Sequence, residues 1–308
     1  MERAQPLPVS HKKRGLTLYG WKEAIWGYLF ILPNFLLMLV FTMIPVFFAF
    51  GVSLTDWSLL SAPNFVGIEN YVRIFQDPVA QITIKNTLFF TAMSVPLRII
   101  FPLLLAVALN QKIRGLAVYR TCYYLPVISA SVAVSVLFLW ILDTNYGLLN
   151  RFLVTIGLNP VGWLTNPRVA MISIVIVTVW RGLGFNMIIF LAALQEVPED
   201  LYEAAAIDGA SGLQKFFRLT VPLISPSIFF LIITGVIDSF QSFDLVYNMT
   251  DGGPARSTHL IGFYIWRRAF DYLQMGYGAA LAYLLFFGIL LVTILQWIVR
   301  KHWVYGEQ

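Results

Sequence analysis

Charged residues are scarce in this sequence. Only 12% of its 308 residues are Asp, Glu, Lys or Arg, whereas soluble domains average about 25%. Hydrophobic residues make up 58% of the chain, and its mean hydropathy is +0.74. Because so little polar surface is available to cover a globule in water, the composition excludes a soluble enzyme and a disordered protein. It predicts an integral membrane protein.

Cysteine and histidine are also rare. Cys122 is the single cysteine, so the sequence offers neither an internal disulfide nor a cysteine-clustered metal site. The three histidines, His11, His259 and His302, are far apart, which leaves a histidine metal centre or proton relay without support. The net charge of +5 is not gathered into one basic stripe, so we expect no nucleic-acid partner.

Long apolar runs, by contrast, are abundant. A bilayer core about 30 Å thick requires about 20 mostly apolar residues per helix. We therefore predict an all-α membrane protein with six transmembrane helices at 25–54, 86–109, 121–142, 170–195, 221–247 and 277–299. The first run is too long for a secretory signal peptide.

The distribution of basic residues predicts the orientation. A basic cluster at residues 11–14, with Lys22, precedes the first helix and places the N-terminus in the cytoplasm. The segments then assigned to the inside hold 12 Lys and Arg in 71 residues, against six in 84 outside. We expect a cytoplasmic tail at 1–24, a six-helix domain at 25–300 and a second cytoplasmic tail at 301–308.

The cytoplasmic loop 196–222 has helix signals that are unusual for a membrane protein loop. Pro198, followed by Glu199 and Asp200, is typical of a helix start, and Gly209 supplies a left-handed residue to end that helix. Ser211 is placed to cap a second short helix at 213–219, and Pro222 marks the start of the next span.

Two short helices joined at a glycine would form a rigid projection on the cytoplasmic face. We expect its apolar residues Leu201, Ile207 and Phe216 to be exposed and to dock into a groove of a partner. From physics alone, an amphipathic hairpin lying on lipid headgroups explains the pattern equally well.

The loop resembles a known family. Glu203-Ala204-Ala205, then Gly209, then Leu219-x-Val221-Pro222 is similar in order and spacing to the coupling loop of ABC importer permeases, which reads Glu-Ala-Ala, Gly and Ile-x-Leu-Pro. The resemblance covers about residues 20–300. Other stretches resemble the carbohydrate branch, the maltose and glycerol-3-phosphate permease type: Ser53-Leu-Thr-Asp-Trp57, Phe65-Val-Gly-Ile-Glu-Asn-Tyr71, Leu194-Gln-Glu-Val-Pro-Glu-Asp-Leu201, and Thr250-Asp-Gly-Gly-Pro254 with Ser257-Thr258.

The resemblance implies a type I permease fold in the plasma or inner membrane of a prokaryote. Its expected partners are a cytoplasmic ATPase dimer, a second, related permease, an extracytoplasmic solute-binding protein, a sugar or polyol, and membrane lipid. The loop at 198–212 would contain the coupling helix that sits in a cleft of the ATPase. The residues expected at this contact are Glu203, Ala204, Ala205, Asp208 and Gly209.

ATP hydrolysis is expected on a different chain. This sequence has no Gly-x4-Gly-Lys-Ser/Thr phosphate loop, so we predict that it is not an enzyme. ATP and Mg would belong to the ATPase subunit, and the chain itself would hold no cofactor.

The fifth predicted helix has polar residues at helical spacing. Thr234, Asp238 and Gln241 fall on one stripe, and they offer the donors and acceptors that sugar hydroxyls need. In the resembling maltose permease the matching stripe lines the sugar site. The alternative is ordinary helix packing.

In the fourth predicted helix, Trp180, Gly182 and Asn186 are further candidates for the substrate path. An indole can stack on a sugar ring, a glycine lets a ligand approach the backbone, and an amide can bond a hydroxyl. Here too the alternative is helix packing, because glycines allow close contact between helices.

Arg98 and Arg181 have more than one interpretation. They neutralise Asp238 or Asp244, snorkel towards the membrane surface, or face a partner permease. If both point into the cavity instead, an anionic sugar becomes a candidate substrate. An ion-coupled secondary transporter that uses Asp238 or Asp244 is the alternative function, although it leaves the coupling loop unexplained. A membrane hydrolase has no supporting Ser/His or metal constellation.

Overall fold

The computed structural model describes residues 18–111 and 115–306. Within these ranges the chain is helical, with no β-strand and only two isolated bridges, Thr55 to Phe65 and Ser58 to Gln274. The helices are α1 Leu18–Met38, α2 Ile44–Ser53, α3 Glu69–Gln76, α4 Pro78–Leu109, α5 Leu116–Ile128, α6 Ser131–Ile141, α7 Leu148–Thr155, α8 Ala170–Gln195, α9 Glu199–Ile207, α10 Gly212–Lys215, α11 Val221–Leu223, α12 Ser225–Phe240, α13 Asp244–Met249, α14 Ile261–Trp266 and α15 Met275–Arg300. Three π-helical turns, Leu39–Met43, Phe216–Thr220 and Arg267–Asp271, continue α1, α10 and α14.

The chain divides into two compact units, one ending at Gly51 and the other beginning at Val52. In the first unit, α1, its π-helical turn and α2 follow one another as an apolar helix with no buried residue in its most hydrophobic stretch. An apolar helix of this length with exposed side chains fits the lipid interior.

Among the described residues, four helices are long and apolar enough to cross a membrane, and two bent pairs of helices could each form one more span. The four are Glu23–Ser53, Pro78–Leu109, Ala170–Gln195 and Met275–Arg300. The predicted all-α membrane fold is confirmed, and the predicted six spans are reached when each bent pair counts as one.

The second span begins earlier than predicted. α4 starts at Pro78 rather than at residue 86, because Asp77 caps it and Pro78 occupies its first turn. The Asp77 Oδ1 atom accepts a hydrogen bond of 2.8 Å from the Val79 N–H. The polar residues between 78 and 86 hid this start from a count of apolar residues.

The third and fifth predicted helices are not continuous. α5 and α6 meet at 99°, because the backbone at Ser129 and Ala130 is extended. The helical segment 212–223 meets α12 at 67°, next to Ile224 and just before Pro226. α12 then ends at Phe240, so the single helix predicted for 221–247 is wrong and Gln241 lies outside it.

Helices α4 and α8 form the centre of the second unit. α8 also lies very close to α5, since a side chain at Gly184 would overlap the Tyr123 carbonyl oxygen. Glycine at such a contact allows close packing of membrane helices. Two apolar clusters flank this centre, one around Phe90 and Ile174 and the other around Met187 and Phe190.

The segment after α15 folds back onto the start of α12. Val304 is buried, and the Trp303 ring meets the Phe229 ring edge to face with centroids 5.9 Å apart. The Tyr305 N–H donates a hydrogen bond of 2.9 Å to the Ser225 hydroxyl.

Candidate functional site

A cavity of about 430 Å³ lies among α4, α5, α8 and the break between α12 and α13. We refer to it as the charged cavity. Its lining residues are Arg98, Val127, Thr178, Arg181, Gly182, Phe185, Asp238, Gln241, Ser242, Phe243, Asp244 and Leu245.

Two ion pairs define the electrostatics of the charged cavity. Arg98 Nη2 lies 3.0 Å from Asp238 Oδ2, and Arg181 Nη1 lies 3.9 Å from Asp244 Oδ2. The Asp238 and Asp244 side chains are 60% and 54% exposed, whereas those of Arg98 and Arg181 are 13% and 31% exposed. The arginines therefore neutralise the aspartates, as one of the interpretations of the sequence expected, and the carboxylates are the more accessible partners.

Three of the six residues predicted for the substrate path line the charged cavity, namely Gly182, Asp238 and Gln241. Thr234 is not among the lining residues, and its hydroxyl donates to the Phe230 carbonyl at 2.9 Å. Contact of these residues with a substrate stays a prediction.

Trp180 and Asn186 also lie outside the cavity lining. The Trp180 ring meets the Phe138 ring edge to face, with centroids 5.0 Å apart. Asn186 is buried, and its amide donates a hydrogen bond of 2.7 Å to the Arg98 carbonyl. Asn186 thus positions the backbone of α4 at Arg98.

Gly182 provides room for the Arg98 guanidinium. A Cβ atom at residue 182 would lie 3.2 Å from Arg98 Nε and 3.4 Å from Nη2, which is tighter than ordinary packing. The glycine that the sequence suggested for ligand approach therefore borders the ion pair.

Several cavity residues were missed by the sequence analysis. Thr178 and Phe185 lie three residues before and four after Arg181, so helical spacing could have placed them on its face of α8. Ser242 and Phe243 reach the cavity only because the helix ends at Phe240, and no signal was found for that break.

The loop predicted to couple to an ATPase folds largely as expected. α9 runs over Glu199–Ile207, Gly209 has φ +78°, and Ser211 caps α10 in a capping box with Gln214. The Tyr202 and Thr220 hydroxyls lie 2.9 Å apart and join α9 to the π-helical turn after α10. We call α9, α10 and that turn the α9–α10 pair.

Exposed apolar side chains cover one part of the α9–α10 pair. Ile207 is 87% exposed, Leu213 72% and Phe217 64%, and Leu201 is also exposed. The predicted exposure of Phe216 is wrong, because Phe216 packs against the apolar cluster around Met187 and its neighbour Phe217 faces outward. Of the residues predicted at the contact, Glu203, Ala204, Asp208 and Gly209 are exposed and Ala205 is half-buried.

A second group of charged residues joins α4, α14 and α15. Arg268 Nη2 lies 2.9 Å from Asp77 Oδ2, and Arg268 Nε donates to the Tyr264 hydroxyl at 2.7 Å. Tyr264 and Tyr277 both donate to the same Asp77 oxygen, and Arg268 Nη1 donates to Gln274 Oε1. We call these five residues the arginine–tyrosine cluster.

Two members of the arginine–tyrosine cluster that lie outside the spans, Asp77 and Tyr264, have shifted pKa values. Burial would raise the pKa of Asp77, but the hydrogen bonds from Tyr264, Tyr277 and Val79 and the Arg268 charge together hold that pKa below its ordinary value. Burial and the hydrogen bond to Asp77 raise the pKa of Tyr264 to about 12.

His259 lies next to this cluster in a buried position. Its Nδ1 atom is 3.1 Å from the Thr83 hydroxyl. Burial, together with the nearby Arg267 and Arg256 charges, lowers the pKa of His259 to about 4. The histidine is therefore neutral near pH 7. Within residues 18–111 and 115–306 no group of three or more His, Cys, Asp or Glu is arranged to hold a metal ion.

Comparison with known proteins defines the class to which this fold and cavity belong. Residues 83–304 match the family described as the inner membrane component of binding-protein-dependent transport systems. The chain belongs to this family and is a membrane permease subunit, as predicted.

Individual relatives match nearly the whole chain. It is 36% identical over 291 residues to the probable ABC transporter permease protein YesP of Bacillus subtilis (strain 168), covering 93% of this chain and 94% of that one. It is 38% identical over 276 residues to the lactose transport system permease protein LacF of Rhizobium radiobacter, covering 88% and 92%.

A solved structure shares the fold. It is a bacterial alginate ABC transporter in complex with an alginate pentasaccharide-bound periplasmic protein. The match has a TM-score of 0.80 and 25% sequence identity, and it covers 92% of this chain and 97% of that one. The ABC importer permease fold inferred from the loop is thereby confirmed.

Proposed function

We propose that this chain forms half of the translocation pathway of an ATP-driven importer for a sugar or sugar-like solute. Family membership supports the importer, and the lactose and alginate systems among its relatives support a carbohydrate cargo. The other components would be a second permease, a cytoplasmic ATPase dimer that holds ATP and Mg, and an extracytoplasmic binding protein. The periplasmic protein in the related alginate complex is consistent with the last of these.

The observation that carries the proposal is the surface of the α9–α10 pair. Ile207, Leu213 and Phe217 are exposed next to a glycine turn that fixes the angle between two short helices. A rigid apolar projection of this kind suits a groove in a partner protein. Phe216 packs the projection against the helix bundle, and the Tyr202–Thr220 contact holds α9 to the π-helical turn that leads towards α12, so that a push on the projection would reach α12.

The orientation follows from the same assignment. If the α9–α10 pair meets a cytoplasmic ATPase, alternation of the spans puts both termini in the cytoplasm, in agreement with the distribution of Lys and Arg.

The ion pairs weigh against the ion-coupled alternative. At a proton or cation site the charge of the carboxylate must be free to bind the ion, whereas Arg98 and Arg181 already balance the charges of Asp238 and Asp244, although the carboxylate oxygens stay accessible to hydrogen-bond donors. The α9–α10 pair would also have no role in such a transporter.

The test is sugar-stimulated ATP hydrolysis by the assembled complex. The chain would be co-expressed with the products of neighbouring genes, reconstituted in nanodiscs and assayed with candidate sugars and the binding protein. We expect Glu203→Ala and Gly209→Pro to abolish the stimulation. Proline is fixed near φ −65° and cannot adopt the φ of +78° at residue 209.

Matched variants separate coupling from general damage to the loop. Glu199→Ala removes an acidic residue from the same helix, and Gly212→Ala alters a glycine with open space around it. Both should retain the stimulation. Uptake driven by a proton or sodium gradient without ATP, or full stimulation in Glu203→Ala and Gly209→Pro, would show that the proposal is wrong.

A further inference from the structure

We propose that the charged cavity admits uncharged, hydroxyl-rich solutes and rejects acidic sugars, with Asp238 and Asp244 as the specificity-determining residues. This inference rests on the proposed function. It decides a point that the relatives leave open, because their names include both a neutral disaccharide and an acidic polysaccharide.

A solute in the charged cavity would meet the aspartate of each ion pair more readily than the arginine. The Asp238 and Asp244 side chains are more than half exposed, whereas only 13% of the Arg98 side chain is accessible. A carboxylate accepts hydrogen bonds and donates none. A sugar hydroxyl can donate to these oxygens, but a sugar carboxylate or phosphate would bring its own acceptor oxygens against them.

The arginines are held in place and are not available to bind an anionic solute instead of the aspartates. Arg98 is held at its backbone by Asn186 and at its guanidinium by the 3.0 Å contact with Asp238. Arg181 divides its donors between Asp244 and the Ser131 hydroxyl, which lies 3.2 Å from Nη1. An anionic solute would have to displace a carboxylate already in place, and the displaced carboxylate would remain beside it.

Apart from the two ion pairs, the residues that line the charged cavity are uncharged. Gln241 is exposed at the helix break and offers both a donor and an acceptor, while Ser242 and Thr178 add hydroxyls. Phe185 is 46% exposed and presents an apolar surface of the kind that the C–H face of a sugar ring can cover. With both charge pairs balanced, the lining suits a neutral polyol.

The experiment compares solutes that differ in charge and little else. Methyl β-glucoside and methyl β-glucuronide form one pair, and lactose and lactobionate form the other. Their binding to the permease–ATPase complex in nanodiscs, without the binding protein, is measured by saturation-transfer difference NMR, which detects weak ligands. We expect the neutral member of at least one pair to bind at least about tenfold more tightly than its acid, as burial of an unbalanced charge implies.

Two substitutions test the named residues. Asp238→Asn and Asp244→Asn keep the side-chain shape and an acceptor for the arginine, but each removes a negative charge. We expect each to weaken binding of the neutral solute and to strengthen binding of the acid, so that the preference falls to within about threefold. Asp271→Asn is the matched control, because Asp271 also lies near an arginine, Arg267, but outside the cavity.

The inference is overturned if the wild-type complex binds the acids as tightly as the neutral sugars, or if it binds neither. It is also overturned if both cavity variants keep the wild-type preference while remaining monodisperse. Failure of the proposed function would look different. The complex would then show no sugar-stimulated ATP hydrolysis even with the binding protein present.

Discussion

Two arginine–aspartate pairs of similar geometry occupy very different surroundings. Arg98 lies 3.0 Å from Asp238 and Arg268 lies 2.9 Å from Asp77, and both arginines are less than one-fifth exposed. The aspartates differ, since the Asp238 side chain is 60% exposed and that of Asp77 only 10%. Distance alone therefore does not tell a structural ion pair from one that is available to a ligand.

The number of partners explains the difference. Asp77 receives hydrogen bonds from two tyrosines and a backbone N–H in addition to the arginine, so its capacity to accept is largely filled. Within the described part of the chain, the Asp238 carboxylate accepts one hydrogen bond, from Arg98. A buried carboxylate that already accepts several hydrogen bonds, here called filled, holds helices together. An exposed carboxylate at a cavity that accepts only one, here called half-filled, can also bind a solute.

The largest effect is expected from removing the filled carboxylate. Asp77→Ala would leave Arg268 without its carboxylate, take the acceptor from Tyr264 and Tyr277, and remove the cap of α4. We expect a loss of about 3–5 kcal/mol, or roughly 10 °C in the thermal midpoint of the purified complex in detergent.

Asp238→Ala is the comparison for that variant. Because water can reach the Arg98 guanidinium once the exposed carboxylate is gone, we expect it to cost only about 1–2 kcal/mol. Equal losses for the two alanine variants would show that the filled and half-filled pairs contribute alike.

Acidification should produce an intermediate effect that originates at His259, beside the arginine–tyrosine cluster. The pKa of His259 is lowered from 6.5 to about 4, so the unfolded chain binds a proton in this range before the folded chain does. The contribution of the neutral histidine to the free energy of unfolding should be fully present above about pH 6.5. It should fall by about 1–3 kcal/mol as the pH decreases towards 4. Thermal midpoints measured across this range test the expectation.

His259→Gln is the variant that isolates the histidine, since it keeps a polar group next to Thr83 without the titration. We expect its stability to change less between pH 6.5 and 4 than that of the wild type. Asp77 does not affect the comparison, because its lowered pKa is common to both proteins and any loss of its contribution below about pH 5 cancels in the difference between the two profiles. An identical pH profile in the variant would exclude His259 as the source.

The smallest effect on stability is expected from a single methyl group beside the half-filled pair. In Gly182→Ala the new Cβ would lie 3.2 Å from Arg98 Nε, so the guanidinium must move by a few tenths of an ångström. We expect a cost below about 1 kcal/mol but a several-fold loss of sugar-stimulated ATP hydrolysis. Gly288→Ala, in α15 with open space around it, should change neither quantity.

Local rules predicted much of the architecture. The span 170–195 coincides with α8, because polar residues flank an unbroken apolar run. Gly209 was predicted to be left-handed and Ser211 to cap a helix, and both were confirmed because each depends on only a few neighbouring residues. The family was also identified from this loop.

The interior of the cavity was harder to predict, because it depends on bends and long-range pairing. Apolar composition does not reveal a helix break inside the bilayer, so the stripe from Thr234 to Gln241 was assigned to a helix that in fact ends at Phe240. The pairing of Arg98 with Asp238 joins residues 140 positions apart, and it remained one of several alternatives in a single sequence.

The fold-back of the C-terminal segment onto α12 has a practical consequence for spectroscopy. Because Tyr305 bonds to Ser225 and Trp303 packs on Phe229, a probe attached at residue 306 would travel with the start of α12 as well as with the end of α15. Ser225 directly follows the bend that leads to the α9–α10 pair. A fluorophore at residue 306 and another at the exposed residue 207 would therefore report the distance across the bend between the α9–α10 pair and α12. ATP-driven motion is expected to enter the bundle through this bend.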